Sequence, residues 1–271
     1  MDLNTITEIA TPRGRAELGA WRSGDAWLGG GTWLFSEPQP HLSRLIDLTS
    51  FGWPSLRVSE SGLEIAATCR IAELDGFSCP AGWTAARLIN QCCRAFLASF
   101  KIWNMATVGG NICMALPAGP MISLAVALDG TCLIWTADGA ERRMAVLDFV
   151  TGPQRNALAP GEVLRMVELP AAALTRRVAF RQISLTPLGR SAALLIGTLC
   201  PRGGRFALTI TAATARPLRI QAADLPSSAT LAEQIAGIPN ELWFSDPHGA
   251  PAWRRHMTLE FAEQIRLELG A

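Results

Sequence analysis

The chain is poor in charge, in histidine and in any spacing that would hold a metal. Of its 271 residues only 17% are charged, and the formal net charge is +1. Such a balance supplies no field to gather nucleic acid or an acidic membrane surface, and neither is expected as a partner. The longest apolar stretches, such as Met121 to Leu128 and Ala192 to Cys200, fall short of the roughly 20 residues a bilayer requires, so no membrane insertion is expected. Three histidines (His41, His248, His256) are too scattered for a metal site. The seven cysteines include no C-x-x-C pair and no C-x4-C-x2-C run, so neither metal nor iron–sulfur cluster is expected on this chain. Met1-Asp2-Leu3-Asn4 begins no secretory signal, and a soluble, cytoplasmic chain is the expectation.

What is present is apolar material. At 49% it allows a sizeable core, and the low charge suggests that partner chains cover part of the surface. Thr11-Pro12 has the form of an N-cap followed by proline, predicting a helix to about Trp21. Strands are expected at Asp25 to Leu28 and Arg44 to Leu48, with a hairpin joining Leu56-Arg57-Val58 to Leu63-Glu64-Ile65. Leu88, Cys92, Phe96 and Phe100 recur at helical spacing, predicting an amphipathic helix over Thr84 to Lys101 in which Cys92 and Cys93 pack as small hydrophobes. A second hairpin is expected over Thr131 to Val146, then a strand ending at Pro170 and a linker at Ala171-Ala172-Ala173. Beyond it come β-rich runs at Ala192 to Cys200 and Arg205 to Thr211, and helices over Ser227 to Gly237 and Trp253 to Leu269. This order predicts an α+β chain with a boundary near residue 170. Arg176-Arg177 and Arg254-Arg255-His256 read as solvated or interface faces, and the tryptophans as core or interface.

Two glycine motifs carry the chemistry. The first is Leu28-Gly29-Gly30-Gly31-Thr32-Trp33-Leu34, directly after a strand; the second is Ala106-Thr107-Val108-Gly109-Gly110-Asn111-Ile112. A pyrophosphate needs several converging backbone N–H groups and no Cβ in the way, and nearby hydroxyls or amides complete the donor set. Thr32, Thr107 and Asn111 are of the right types. Neither motif fits G-x-G-x-x-G or G-x-x-x-x-G-K-[ST], so neither a Rossmann site nor a P-loop is indicated.

The pair resembles the two FAD-pyrophosphate loops, A-G-G-[ST] and T-[IV]-G-G-N, of the flavin subunits of molybdenum hydroxylases, the xanthine dehydrogenase and carbon monoxide dehydrogenase kind. The resemblance continues through Gly62-Leu63-Glu64-Ile65-Ala66-Ala67, through Ala159-Pro160-Gly161-Glu162-Val163-Leu164, through Phe180-Arg181-Gln182, and through Asp246-Pro247-His248-Gly249 to Trp253-Arg254. It implies an α+β fold: an FAD-binding domain of the vanillyl-alcohol oxidase type over 1–170, its two subdomains split near 52, and a small C-terminal α+β domain over 175–271. It implies cofactor contacts from Leu28, Gly29, Gly30, Gly31, Thr32, Trp33 and Leu34, and from Thr107, Gly109, Gly110 and Asn111. Leu164 and Arg181 match two further cofactor positions. Pro120 stands where the family usually has an aspartate, which implies weaker FAD binding; Trp33 and Trp103 also depart from the pattern.

No catalytic residue is expected on the chain itself. The resemblance implies an FAD-binding electron-transfer subunit that takes electrons from [2Fe-2S] clusters of a small partner subunit and passes them to an external acceptor. The molybdenum cofactor belongs to a large partner subunit, and Trp103 and Met114 are the first candidates for residues covered by a partner. Two alternatives stay open: a free-standing FAD oxidase, with His41 and Cys113 as the nearby residues able to attach a flavin, and a flavin-free scaffold subunit of the same complex.

Overall fold

The computed structural model describes residues 3–271, so Met1 and Asp2 of the N-terminal reading lie outside the described residues. Strands β1 (Glu8–Ala10), β2 (Asp25–Leu28) and β3 (Arg44–Asp47) form a small parallel sheet in the order β1-β3-β2. The hairpin of β4 (Leu56–Ser59) and β5 (Gly62–Ala66) follows, then helices α1 (Ile71–Asp75), α2 (Arg87–Ala95), α3 (Phe100–Trp103), α4 (Val108–Met114) and α5 (Pro120–Ala127). After the hairpin β6 (Thr131–Trp135) and β7 (Glu141–Ala145) come α6 (Val146–Phe149), the ribbon β8 (Val150–Gly152) and β9 (Arg155–Asn156), and β10 (Val163–Pro170). Strand β10 returns to the centre of a five-stranded antiparallel sheet, β4-β5-β10-β6-β7. Past α7 (Ala171–Leu174), β11 (Arg177–Ile183), β12 (Ala193–Leu199), β13 (Phe206–Thr211) and β14 (Leu218–Ala222) make an antiparallel meander, and α8 (Ser228–Ala236) and α9 (Pro251–Gly270) end the chain.

Two cores hold these layers. The larger one gathers the helices α1, α2, α4 and α5 onto the five-stranded sheet and reaches Leu194 and Ile196 of the meander. The smaller one lies between the opposite face of the meander and α8 and α9. Strand β12 is buried on both faces, as its run of Ala-Leu-Leu-Ile-Gly suggests. Gly197 is required there, because a Cβ would lie 2.2 Å from Ile265 of α9. All eight residues of α5 are buried, the condition of a helix with no polar stripe, and it packs between α2 and the meander.

Four expectations need correction. No α-helix forms over 11–21; a single 3-10 turn, Arg15–Glu17, buries none of its residues. Gly14, Gly19 and the absence of an apolar stripe explain this, since a short helix needs packing to persist. The helix expected over 84–101 is broken: α2 stops at Ala95, and Phe100 is 76% exposed rather than part of the buried stripe. The alanine triplet is not a linker but opens α7, with Ala173 and Leu174 fully buried. Arg254 and Arg176 are not solvated. Arg254, 1% exposed, donates to the carbonyls of Gly249, Ala192 and Ala212 and pairs with Asp246, pinning strand ends to the last helix.

Candidate functional site

The first glycine segment leaves β2 and lies against the chain that enters the second. A Cβ on Gly30 would sit 1.7 Å from the Met105 carbonyl oxygen, and one on Gly29 would be 3.2 Å from Thr107 Oγ1. The loops therefore touch through backbone, and glycine is what permits the approach. Gly31 has φ +70°, the left-handed conformation that glycine adopts without strain, and the Phe35 ring lies where its Cβ would be.

The N–H groups of the two segments are in different states. Gly29, Gly30, Gly31, Thr32, Trp33 and Leu34 donate to no partner among the described residues; the hydrogen bonds of this turn begin with Phe35 N–H to the Gly31 carbonyl at 2.9 Å. Six consecutive open amides, bent by one left-handed residue, leave N–H donors free for an anion. The second segment is closed. Val108 donates to the Cys69 carbonyl at 2.8 Å, Gly109 to the Ala67 carbonyl at 2.9 Å, and Asn111 to the Thr107 carbonyl at 3.0 Å. Gly110 donates to Thr107 Oγ1 at 3.0 Å, which makes Thr107 the N-cap of α4. Gly109 is needed for packing: a Cβ there would lie 2.4 Å from that of Ala67.

Leu164 joins the two loops through β10. Two residues earlier, the Glu162 carbonyl accepts from Trp27 Nε1 at 2.9 Å, tying β10 to β2. One residue later, the Arg165 carbonyl accepts from Ala67 N at 3.0 Å, and Ala67 in turn accepts from Gly109. Leu164 sits at the register shift that this arrangement produces, its side chain buried in the larger core. Glu162 is itself held by Arg142, whose hydrogen bonds at 2.8 and 2.5 Å keep its carboxyl below the ordinary range.

Arg181 is not brought to the loops. Its guanidinium donates to Gln264 Oε1 at 2.9 Å and Glu268 Oε2 at 2.8 Å on α9. Strand alternation explains it, since Ala179 and Ile183 face the smaller core with α9 whereas Phe180 packs on the larger one. The face shared with Phe180 carries Gln182, whose Nε2 donates to Ser191 Oγ at 2.8 Å. Period-two reading of Val178 to Ile183 would have separated Gln182 from Arg181.

Asn111 has a task that sequence reading missed. Its Oδ1 accepts the Met121 N–H at 3.1 Å, so it caps α5, leaving Nδ2 as its free donor. Pro120 occupies the first turn of that helix and is buried, with Gly119 preceding it. Proline suits that position, whose N–H has no intrahelical acceptor.

Open amides stand against a closed, capped glycine turn, and the comparisons with known proteins place the chain in a family. The family described as the FAD binding domain in molybdopterin dehydrogenase matches residues 16–172, more than half of the chain. The chain belongs to that family. This FAD-binding domain is also similar to the xanthine dehydrogenase of Oryza sativa subsp. japonica, 32% identical over 122 residues, which is 43% of this chain and 9% of that protein. It is 34% identical over 74 residues to the glyceraldehyde dehydrogenase medium chain of Sulfolobus acidocaldarius, covering 27% of this chain and 26% of that one. Among solved structures, quinoline 2-oxidoreductase from Pseudomonas putida 86 shares the fold with a TM-score of 0.78 at 20% identity, covering 99% and 98% of the two chains. A chain of carbon monoxide dehydrogenase from Hydrogenophaga pseudoflava does so with a TM-score of 0.79 at 19% identity, covering 96% of each. Among the described residues no helix is long and apolar enough to cross a membrane.

Proposed function

We propose that the chain is the electron-transfer flavoprotein subunit of a heteromeric molybdenum hydroxylase. The observation that carries this reading is the row of six open amides at Gly29 to Leu34 in a chain of the FAD-binding family. The pyrophosphate of FAD is assigned to those amides. Thr32 and Thr107 hydroxyls, Trp33 Nε1 and Asn111 Nδ2 are the side-chain donors within the two segments, and Leu164 lies where both loops reach β10. Arg181 is assigned to α9 and not to the cofactor. In this reading residues 1–170 form the FAD-binding domain, its subdomains dividing near 52, and 175–271 the smaller C-terminal one.

FAD, when bound, accepts electrons singly from an iron–sulfur cluster and passes them on singly or in pairs. The chain's own contribution is to bind and orient it and to keep its edge accessible to a partner. Phe35, Leu97, Phe100 and Met105 are exposed apolar residues around the glycine segments, and we assign this surface to the iron–sulfur subunit. They are added ahead of Trp103 and Met114 as candidates: both of those are half-buried, and Trp103 donates Nε1 to the Phe96 carbonyl at 2.9 Å beneath the Arg94 guanidinium. A molybdenum-cofactor large subunit completes the assembly, and the soluble cytoplasmic setting is part of the same proposal.

Of the two residues able to attach a flavin in the free-standing oxidase alternative, Cys113 is a poor nucleophile, since desolvation pushes its thiol up to about 12, which leaves the exposed His41. The deciving experiment compares the purified chain with the reconstituted complex. The chain alone should carry FAD and be reduced by artificial donors, yet oxidise no aldehyde or heterocycle. Turnover by the chain alone overturns the relay reading, and a chain without flavin absorbance supports the scaffold alternative.

A further inference from the structure

Buried polar groups in folded proteins nearly always find partners, so those that do not are informative. Among the described residues five buried side-chain atoms have none: Gln91 Oε1, Arg176 Nε, Thr209 Oγ1, Arg219 Nε and Trp243 Nε1. Three of the five belong to one cluster. Thr209 on β13 stands directly opposite Arg219 on β14, so the two side chains share a face with Cβ atoms about 5 Å apart. That face is turned to α5, because Thr211, two residues further along β13, meets Ser123 Oγ at 2.6 Å. Arg219 pairs with one oxygen of Asp129, just beyond α5, and Arg176 pairs with the other.

The charges do not balance. Burial alone would raise the Asp129 carboxyl, but the hydrogen bonds and charges of Arg176 and Arg219 hold it below its ordinary value. It is therefore ionised at neutral pH, and the charged groups acting on it are those two arginines. Two guanidiniums against one carboxylate leave a surplus of one positive charge. Arg176 is only 8% exposed and Thr209 1%, while the Asp129 side chain is 32% exposed, so water screens the cluster from the Asp129 side alone. Both unpaired Nε atoms are N–H donors, and the Thr209 hydroxyl donates as readily as it accepts. Spare donors beside surplus positive charge select an anion. None of the three atoms is open to solvent, so only a small ion can seat against them.

We propose that Arg176, Arg219 and Thr209 bind a monovalent anion of chloride size in the seam between α5 and the four-stranded meander. Arg176 follows α7 while Arg219 and Thr209 belong to the meander, so the ion fastens that sheet to the larger core. The site is separate from the glycine cradle and independent of any role assigned to FAD.

The test uses the full-length chain. Crystals grown in bromide instead of chloride should show an anomalous peak in contact with Arg176, Arg219 and Thr209. At fixed ionic strength, replacing gluconate by chloride should raise Tm by about 3 °C along a saturating curve, as expected for a ligand bound by the native state alone. Thr209→Val, which keeps the shape but removes the hydroxyl, should move the midpoint of that curve to at least tenfold higher chloride. A water without anomalous signal at the cluster overturns the proposal. So do equal melting temperatures in the two salts, or a chloride response unchanged in Thr209→Val.

Discussion

The two glycine segments look alike on paper and are built in opposite ways. Gly29 to Leu34 hangs from a three-stranded sheet and keeps its amides open, whereas Val108 to Asn111 spends its amides on Cys69, Ala67 and its own cap. The scaffolds differ as well. The first segment's sheet is clamped by polar contacts: Arg44 donates to both Asp25 oxygens, at 2.8 and 2.5 Å, and lies 3.6 Å from Glu8. The second segment is seated in the larger hydrophobic core, with Ala106, Val108 and Ile112 buried. Open donors on a polar mount are suited to gripping an anion; closed donors on an apolar mount are suited to holding a neighbour still. The lesson is that a glycine motif's role is read from where its N–H groups go.

Substitutions should separate the two. Gly30→Ala drives a Cβ into the Met105 backbone, which cannot rotate away, so the loops must part. FAD affinity should fall at least tenfold, about 1.4 kcal/mol or more, measured by flavin absorbance retained through gel filtration. Gly110→Ala, whose Cβ meets only the Thr107 hydroxyl at 2.9 Å, should retain most of its flavin. Equal losses from both variants would erase the distinction.

Asp25→Asn comes next, because it strands Arg44 in a mostly buried position; a loss of roughly 3 kcal/mol is expected from urea unfolding. It also sharpens the comparison through pH. The hydrogen bond from Arg44 lowers Asp25 from its ordinary 3.8, so its contribution is complete above about 4 and is lost as acid titrates through the lowered value. Flavin release on acidification should therefore be blunted in the variant, which lacks that carboxylate. A variant releasing FAD along the wild-type pH curve would detach the clamp from the first loop.

Gly109→Ala presses on Ala67 and should cost about 1–3 kcal/mol of stability, with FAD affinity following the fold rather than leading it. Thr107→Val removes the α4 cap for about 1 kcal/mol, readable as a small drop in Tm, and with it a hydroxyl assigned to FAD, so flavin retention should fall modestly as well.

The sequence was legible where local chemistry decides the outcome. The hairpins 56–66 and 131–145, the two central meander strands and the last two helices follow from alternation, turn residues and caps, and the glycine segments from composition, whereas the outer meander strands Arg177–Ile183 and Leu218–Ala222 were not legible. It was opaque where distant partners decide. That Gly109 is satisfied by Ala67 and Val108 by Cys69 depends on a bridge between Arg70 and Thr107, which no spacing announces. The burial of Arg176 and Arg254 was hidden for a related reason: arginines usually face water, and only tertiary carboxylates and carbonyls bring these inside. Strand alternation turns Arg181 toward α9, a placement that motif matching does not see.

The most direct test of the division of labour is amide hydrogen exchange on the purified chain with and without FAD. Gly29 to Leu34 should exchange fast in the flavin-free chain and become protected when FAD is added, while Val108 to Asn111 should be protected in both. Protection gained at Val108 to Asn111 with none at Gly29 to Leu34 would contradict the assignment of the first segment as the grip and the second as its support.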